Sequence, residues 1–461
     1  MKYDLVIIGN GILGTLSAIN IKRQNPKAKI ILIGKNIRPF SASVGAGAMA
    51  NVYAEIEKGP FNDQNEARYL NIGLSARSRW LKILDDLKIK NKIITATDTV
   101  VFLKKKASSF EKENYMNMQQ TSLSDKKAVI LKKQKIQTIF PNTYKNISEA
   151  TLLKGEFAMC TVSLFNLLDK EINNFGISKI SDHVKSVKII HQNKFQINLE
   201  ENSNIIEASK VIVSAGSFSE SLFEKRYNII PMLQGVGSAI ILHVNSTIPK
   251  SFSKFVIRTV NRGGAQCGLH TVPRSNQTLY LGAGNYITKP SLQSHRIETI
   301  RYLYDLFTNE LVGKQAAYPL LGNISLGYRP RTIDGFPCIG PHQKYQNIFF
   351  ATGTNRVGLT WAPEISYEAS KWFADNKLSD TFNGWHPDRS PISFGSEEKC
   401  IEYFIESRIS AGLEHENFTA KEVSKMKKKF QQIAKKQIFK IKKIYPDINI
   451  NPDNWQSILG L

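Results

Sequence analysis

One group of residues in this sequence has the types and spacing to do chemistry, Gly9-Asn10-Gly11-Ile12-Leu13-Gly14. A glycine at the first position allows a tight turn. At the second it removes a side chain where backbone must approach a pyrophosphate, and at the third it lets helix and strand pack closely. The N–H groups that open the following helix, backed by its positive dipole end, then face the phosphates.

The glycine loop needs a strand before it and a helix after it, and the pattern supplies both. Asp4 to Ile8 is an apolar β-type run, Thr15 to Arg23 carries Leu16 and Ile19 at helical spacing, and Lys29 to Ile33 is a second buried strand. That is a βαβ unit with the fingerprint in its required place. One part of the fingerprint is missing. An acidic residue ordinarily ends the second strand and binds the adenosine ribose, but here the strand runs into Gly34-Lys35-Asn36. Asn36 or a backbone carbonyl would have to substitute, and Lys35 raises the alternative of a 2′-phosphate, hence NADP.

Further along, Glu66–Leu87 and Leu164–Phe175 read as helices, and Val184–Ile190 and Lys194–Leu199 as strands. Lys210–Val213 is a buried strand ending in Ser214-Ala215-Gly216. Alternating strand patterns dominate from Val236 to about Tyr286. Arg296–Phe307 reads as a helix, Ile348–Ala351 as a buried strand, and a glycine turn then leads to a helix starting near Pro363.

Composition narrows the class. The chain has 461 residues, 42% apolar and 10% aromatic, which suits two or three globular units. No apolar run is long enough to span a bilayer and no signal peptide is visible, so a cytoplasmic protein is expected. Cys160, Cys267, Cys338 and Cys400 are far apart and form no CxxC, which disfavours a zinc site or disulfides; no metal is expected. The net charge of +23 favours polyanions, anionic lipid or acidic substrates, and scattered lysines also simply solvate a surface.

The C-terminal third carries Leu326-Gly-Tyr-Arg-Pro-Arg-Thr-Ile-Asp-Gly-Phe-Pro-Cys-Ile-Gly340 and Asn347-Ile-Phe-Phe-Ala-Thr-Gly-Thr-Asn-Arg-Val-Gly-Leu-Thr-Trp-Ala-Pro363. With the N-terminal loop, Ser41-Ala-Ser-Val-Gly-Ala-Gly-Ala-Met49, Val211–Ser219, Pro231–Gly237 and Leu269–Gly284, the chain resembles the D-amino-acid oxidase / glycine oxidase superfamily of FAD-dependent oxidoreductases over most of residues 3 to 375. The resemblance implies an α/β fold: a Rossmann-like FAD-binding domain (1–90, 150–235 and 326–378), an antiparallel-sheet substrate domain of the glutathione-reductase-2-like kind (91–149 and 236–325), and a helical, basic C-terminal extension (379–461). It implies non-covalent FAD, because neither Leu326-Gly327-Tyr328 nor Ser41–Met49 offers the cysteine or histidine that some relatives use for attachment.

The expected FAD contacts are Gly9, Gly11, Ile12, Leu13, Gly14, Lys35, Ser41, Ser43, Gly47, Ala48, Met49, Val184, Ala215, Gly216, Arg329, Gly353, Asn355, Arg356, Val357, Gly358, Leu359 and Thr360. Arg329 sits where family members bind the substrate carboxylate, and Arg356 where glycine-oxidase-like members place another arginine near flavin and substrate. Both are taken as catalytic and, with Tyr280 and Tyr286, as substrate-binding. His270 is a further polar group on the substrate side, while His183 and His191 read as surface residues of a strand pair.

The implied reaction is oxidation of the C–N bond of an amino acid or amine by hydride transfer to flavin N5, giving an imine that hydrolyses; oxygen or a quinone takes the electrons. The alternatives are a flavin-dependent dehydrogenase of a 2-hydroxy acid or of a phosphorylated or RNA-linked substrate, and a non-catalytic flavoprotein subunit. Nucleic acid is disfavoured, since no RNA-binding motif is evident. Lys421–Tyr445 holds ten lysines and one glutamate around apolar residues at helical spacing. Such a basic amphipathic helix docks on an anionic membrane at its inner face, on a partner protein, or on the body of its own chain.

Overall fold

The computed structural model describes residues 2–57, 63–246, 248–262, 268–274, 277–314, 320–415 and 418–461; Cys267 lies outside them. Two large sheets organise the chain. The first has a parallel centre: the strand Lys2–Ile8 lies between Ile30–Ile33 and Ile206–Val213, with Ser178–Ile180 beyond the former and Ile348–Thr352 beyond the latter. Every residue of Ile30–Ile33 and Ile348–Thr352 is buried, as a strand covered on both faces requires. Val184–His191 and Lys194–Leu199 join as an antiparallel hairpin on Ile206–Val213, and Cys338–Pro341 closes the far edge.

In the second sheet the strands run in the order Leu320–Thr332, Met232–His243, Thr278–Thr288, His270–Arg274, Val256–Thr259, Thr99–Lys104, Ile147–Leu153 and Ala128–Ile130. All its pairs are antiparallel except Val256–Thr259 with Thr99–Lys104. The α/β class with an antiparallel substrate sheet is therefore what the chain adopts. Two expected boundaries shift. Ile147–Leu153 pairs within the second sheet although residues from 150 on were assigned to the nucleotide domain. Leu320–Thr332 is one continuous strand across the expected 325/326 boundary, because its register with Met232–His243 runs almost unbroken.

The helix Ile12–Gln24 packs on Gly358–Asp375. The latter starts five residues before Pro363, where its onset was expected. A proline has no N–H for the carbonyl of Leu359, and that carbonyl instead accepts the indole N–H of Trp80 at 2.9 Å.

The C-terminal extension folds onto the body. In the helix Ala420–Ile444 the buried positions are Ala434, Gln437, Ile438 and Ile441, with Phe430 and Ile433 partly buried against the same core, and the lysines lie outside. The centre of the apolar stripe is thus covered by the chain itself, while Phe439 and Ile444 stay exposed. Two buried ion pairs fasten the extension to the end of Leu320–Thr332 and the turn after it. Arg331 donates to Asn454 Oδ1 (2.8 Å) and Asp453 Oδ2 (3.1 Å), and Arg389 grips Asp334 at 3.0 Å. Among the described residues, no helix is long and apolar enough to cross a membrane.

Candidate active site

A cavity of about 650 Å³ runs from the glycine loop to the second sheet, within the range of cofactor-sized pockets. At the N-terminal end it is walled by Gly9, Asn10, Gly11, Ile12, Leu13, Gly34 and Lys35. Gly9 has φ +102°, and a Cβ there would lie 2.3 Å from the carbonyl oxygen of Ser214, so the turn admits only glycine. The N-cap of the helix Ile12–Gln24 is Gly11, with no side chain, and no acidic residue stands in the first turn, so its positive end suits an anion. Gly14 is not on the wall. A Cβ there would lie within contact of the Gly9 carbonyl, so its role is the close packing of helix and turn.

Ser41, Ser43, Gly47, Ala48 and Met49 line the middle of the cavity, opposite Ala215 and Gly216. Ser43 Oγ accepts the Ile12 N–H at 3.1 Å, and Arg38 donates to the Asn10 carbonyl (2.8 Å) while bound bidentately by Asp169. Asn355, Arg356, Gly358, Leu359 and Thr360 bring the start of the helix Gly358–Asp375 to the wall. Gly353 and Val357 fall behind it, on a smaller cavity of about 110 Å³ that shares Glu55, Thr354, Asn355 and Arg356 with the first. No cysteine is among the described lining residues; Cys160, Cys338 and Cys400 are buried and form no disulfide among the described residues.

The far end is formed by Glu55, Arg258, Asn261, His270, Tyr280, Tyr328 and Arg329. Arg258, only 1% exposed, donates to Glu55 (2.5 Å), Asn51 (3.1 Å) and Asn261 (3.0 Å). Arg356 reaches Glu57 at 2.7 Å and Glu55 at 3.6 Å. Burial works to raise the Glu55 carboxyl, but the guanidinium of Arg258 and then that of Arg356 overcome it and hold it at about 2. Burial wins at Glu57, whose pKa is raised against the pull of Arg356. Arg356 is on the wall as expected, yet it is already engaged by the side chains of Glu57 and Glu55.

Arg329 differs. Its Nη1 donates to Asn285 Oδ1 at 2.6 Å, and among the described residues it has no acidic partner. The guanidinium lies across Gly237 of the adjacent strand, where a Cβ would sit 2.5 Å from Nη2. His270 directs Nδ1 to the Gly268 carbonyl at 2.9 Å and stacks on Tyr280. Burial, then the positive charge of Arg258, depress its pKa to about 3, so the ring is neutral at ordinary pH. The Tyr280 hydroxyl donates to the Gly45 carbonyl at 3.0 Å and ties the second sheet to the Ser41–Met49 loop beside the cavity.

Tyr286 is not brought here. Its hydroxyl bonds Gln293 (3.2 Å) and its ring lies under the Arg296 guanidinium, away from the wall. His183, expected on an outer surface, is exposed but lines the cavity beside Val184. Sequence reasoning missed Glu55, Arg258, Asn261 and Tyr328. Arg258 had a signal, a lone charge inside the apolar run Phe255-Val-Ile-Arg-Thr-Val260, since a buried charge must have a partner. Tyr328 had none, because its Phe40 stack and Gln293 hydrogen bonds join distant segments.

The donor set fits a dinucleotide: a glycine turn that excludes side chains, a helix start free of acidic residues, and a cavity that continues to a second helix start. Comparison with known proteins agrees. Residues 4–372 match the family model described as DAO, FAD dependent oxidoreductase. The chain is 22% identical over 372 residues to a glycine oxidase of Bacillus licheniformis, covering 78% of this chain and 90% of that protein. It is 21% identical over 401 residues to the bifunctional protein ThiO/ThiG of Nostoc sp., covering 85% of this chain but only 55% of that one. The chain thus spans about half the length of that relative.

Among solved structures, glycine oxidase from Geobacillus kaustophilus superposes with a TM-score of 0.71 at 15% identity, covering 84% of this chain and 99% of that one. Iminodiacetate oxidase from Chelativorans sp. BNC1 gives 0.69 at 15% identity, covering 84% and 100%; at such identities the likeness is one of fold. With a glycine-turn nucleotide site at one end of the cavity, a buried arginine–carboxylate cluster at the other, and a family match over most of its length, the chain belongs to the DAO family of FAD-dependent oxidoreductases.

Proposed function

We propose that this chain oxidises the carbon–nitrogen bond of an amino acid or a related amino carboxylate. The observation that carries the reading is the contrast among three arginines at one end of the cavity. Arg258 and Arg356 each hold an acidic side chain, Glu55 and Glu57, whereas Arg329 has only the amide of Asn285 among the described residues. A guanidinium with no described acidic partner, held flat over Gly237, suits a carboxylate. The relatives named as glycine oxidase and iminodiacetate oxidase point to the same substrate class.

Bound FAD, held without a covalent link, would supply the oxidising power by accepting a hydride at N5. The chain's own groups do the rest. Arg329 anchors the carboxylate and so orients the adjacent C–H. His270 is uncharged, so it adds no repulsion next to an amine and offers Nε2 as an acceptor. The amine must be unprotonated to release the hydride, and no strong general base is then required. The start of the helix Gly358–Asp375 directs its positive end to the cavity, where it would stabilise negative charge as the cofactor is reduced. The departing imine is hydrolysed by water, and oxygen or a quinone reoxidises the cofactor.

The test is an anaerobic screen of the purified holoprotein for loss of flavin absorbance with D-amino acids, glycine, N-methyl amino acids and 2-hydroxy acids. Bleaching by a hydroxy acid and by no amine overturns the reading. With an active amine in hand, Arg329→Ala should raise KM at least roughly tenfold, the worth of a charge-assisted hydrogen bond. An unchanged KM removes the carboxylate anchor.

A further inference from the structure

We infer that Glu200 supplies the carboxylate that binds the adenosine ribose of FAD, replacing the acidic residue missing after the second strand. The inference depends on the cofactor and not on the substrate.

The side-chain substitutes at Lys35 and Asn36, and the Lys35 carbonyl, are already engaged or misplaced. The Lys35 carbonyl accepts the Asn10 side-chain amide at 2.9 Å. The Lys35 ammonium is bound by Glu201 at 2.5 Å, which removes the free cation that a 2′-phosphate would need. Asn36 is exposed, is not on the cavity wall, and donates its backbone N–H to Ser181 Oγ at 3.2 Å.

The hairpin end lies beside the same turn, since the Gly34 N–H donates to the Ile180 carbonyl at 3.0 Å and Lys35 pairs with Glu201, and Asp182, His183, Val184, Lys185 and Glu200 line the cavity there. Its two carboxylates are in different states. Asp182, 3% exposed, accepts the backbone N–H groups of His183 (2.7 Å), Glu201 (3.2 Å) and Asn202 (3.1 Å). Those bonds, with the Glu200 N–H donated to the His183 carbonyl at 2.9 Å, fix the end of the hairpin beside the wall. The Glu200 carboxylate itself accepts no hydrogen bond from any described residue.

An ionised carboxylate only accepts. At the adenosine end of a dinucleotide site the matching donors are the two ribose hydroxyls, the task an acidic residue performs at the end of the second strand in this fold. Here the carboxylate arrives from a different strand pair, positioned by Asp182. Its charge also disfavours a ribose phosphate, so the site selects FAD over a 2′-phosphorylated dinucleotide.

The experiment compares the full-length protein with Glu200→Ala and Glu201→Ala, each dialysed against FAD and separately against FMN, with bound flavin measured by fluorescence. FMN lacks the adenosine. Glu200→Ala should weaken FAD binding by roughly tenfold or more, the effect of losing a hydrogen bond to a charged group, and leave FMN binding within about twofold. Glu201→Ala should change FAD binding less than about threefold, as an exposed ion pair is worth little. Unchanged FAD affinity in Glu200→Ala overturns the inference. So does an equal loss of FMN, which would mean general damage to the site. A wild-type protein that takes up no FAD would instead overturn the cofactor assignment, and this inference with it.

Discussion

Arg389→Met tests how the extension is held to the strand that carries Arg329. Asp334 is 2% exposed and Arg389 is 7% exposed. Arg389 donates to Asp334 from Nε at 3.2 Å and from Nη2 at 3.0 and 3.1 Å. Removing one partner of a buried pair costs about 3–5 kcal/mol, because the other charge stays behind. Asp334 would keep the Phe336 and Ile392 backbone N–H groups at 3.0 Å and the Thr332 hydroxyl at 2.8 Å, which places the expected loss near the lower limit, about 3 kcal/mol. Methionine fills most of the vacated volume, so cavity formation adds little. The assay is urea unfolding of the holoprotein followed by tryptophan emission; Trp385 reports locally, since its carbonyl also accepts from Arg389 at 3.2 Å. The double variant Asp334→Asn/Arg389→Met should cost clearly less than the sum of its single variants, since no buried charge remains unpaired. A loss below about 1 kcal/mol in Arg389→Met, or strict additivity in the cycle, would refute the claim that a buried ion pair fastens the extension.

Three further outcomes follow from particular contacts. His270 has its pKa depressed to about 3, so the unfolded chain binds the extra proton between its ordinary value near 6.5 and that point. Its contribution is fully present above about pH 6.5 and falls by about 1.4 kcal/mol per unit as the pH drops towards 3; comparing urea midpoints of wild type and His270→Asn at pH 7.5 and 5 should show a shallower acid loss in the variant. Gly9→Ala would force a Cβ to 2.3 Å from the Ser214 carbonyl at φ +102°, and the purified variant should contain little or no bound flavin by absorbance. Trp80→Phe leaves the Leu359 carbonyl without its donor next to Pro363 and should cost about 1–3 kcal/mol in unfolding free energy; no change would mean that the first turn of that helix does not need the tryptophan.

The nucleotide end of the cavity was legible in the sequence because its chemistry is local. Gly9, Gly11 and Gly14 act through backbone geometry within one strand–turn–helix, and a period-2 run followed by a period-3.6 run identifies that unit without knowledge of distant contacts. The substrate end was only half legible, for the opposite reason. Arg329 could be named from its strand, but its availability depends on Asn285 and Gly237, which come from two other strands. Arg356 was indistinguishable from Arg329 by type and spacing. What separates them is that Glu55 and Glu57, about three hundred positions earlier in the chain, meet one arginine and not the other. Tyr286 failed for a related reason: a residue's face on a strand depends on register, and register is a property of pairs. The extension shows the same limit. Its basic amphipathic pattern fits a membrane, a partner or the chain's own body equally well, and the choice becomes visible only when Ala434, Ile438 and Ile441 are found buried and Arg331 and Asp334 are found gripped by Asp453, Asn454 and Arg389. The segment Arg329-Pro-Arg-Thr-Ile-Asp334 therefore has two duties. One arginine faces the cavity, while the next arginine and the aspartate are the anchors by which residues beyond the family match hold that strand in place.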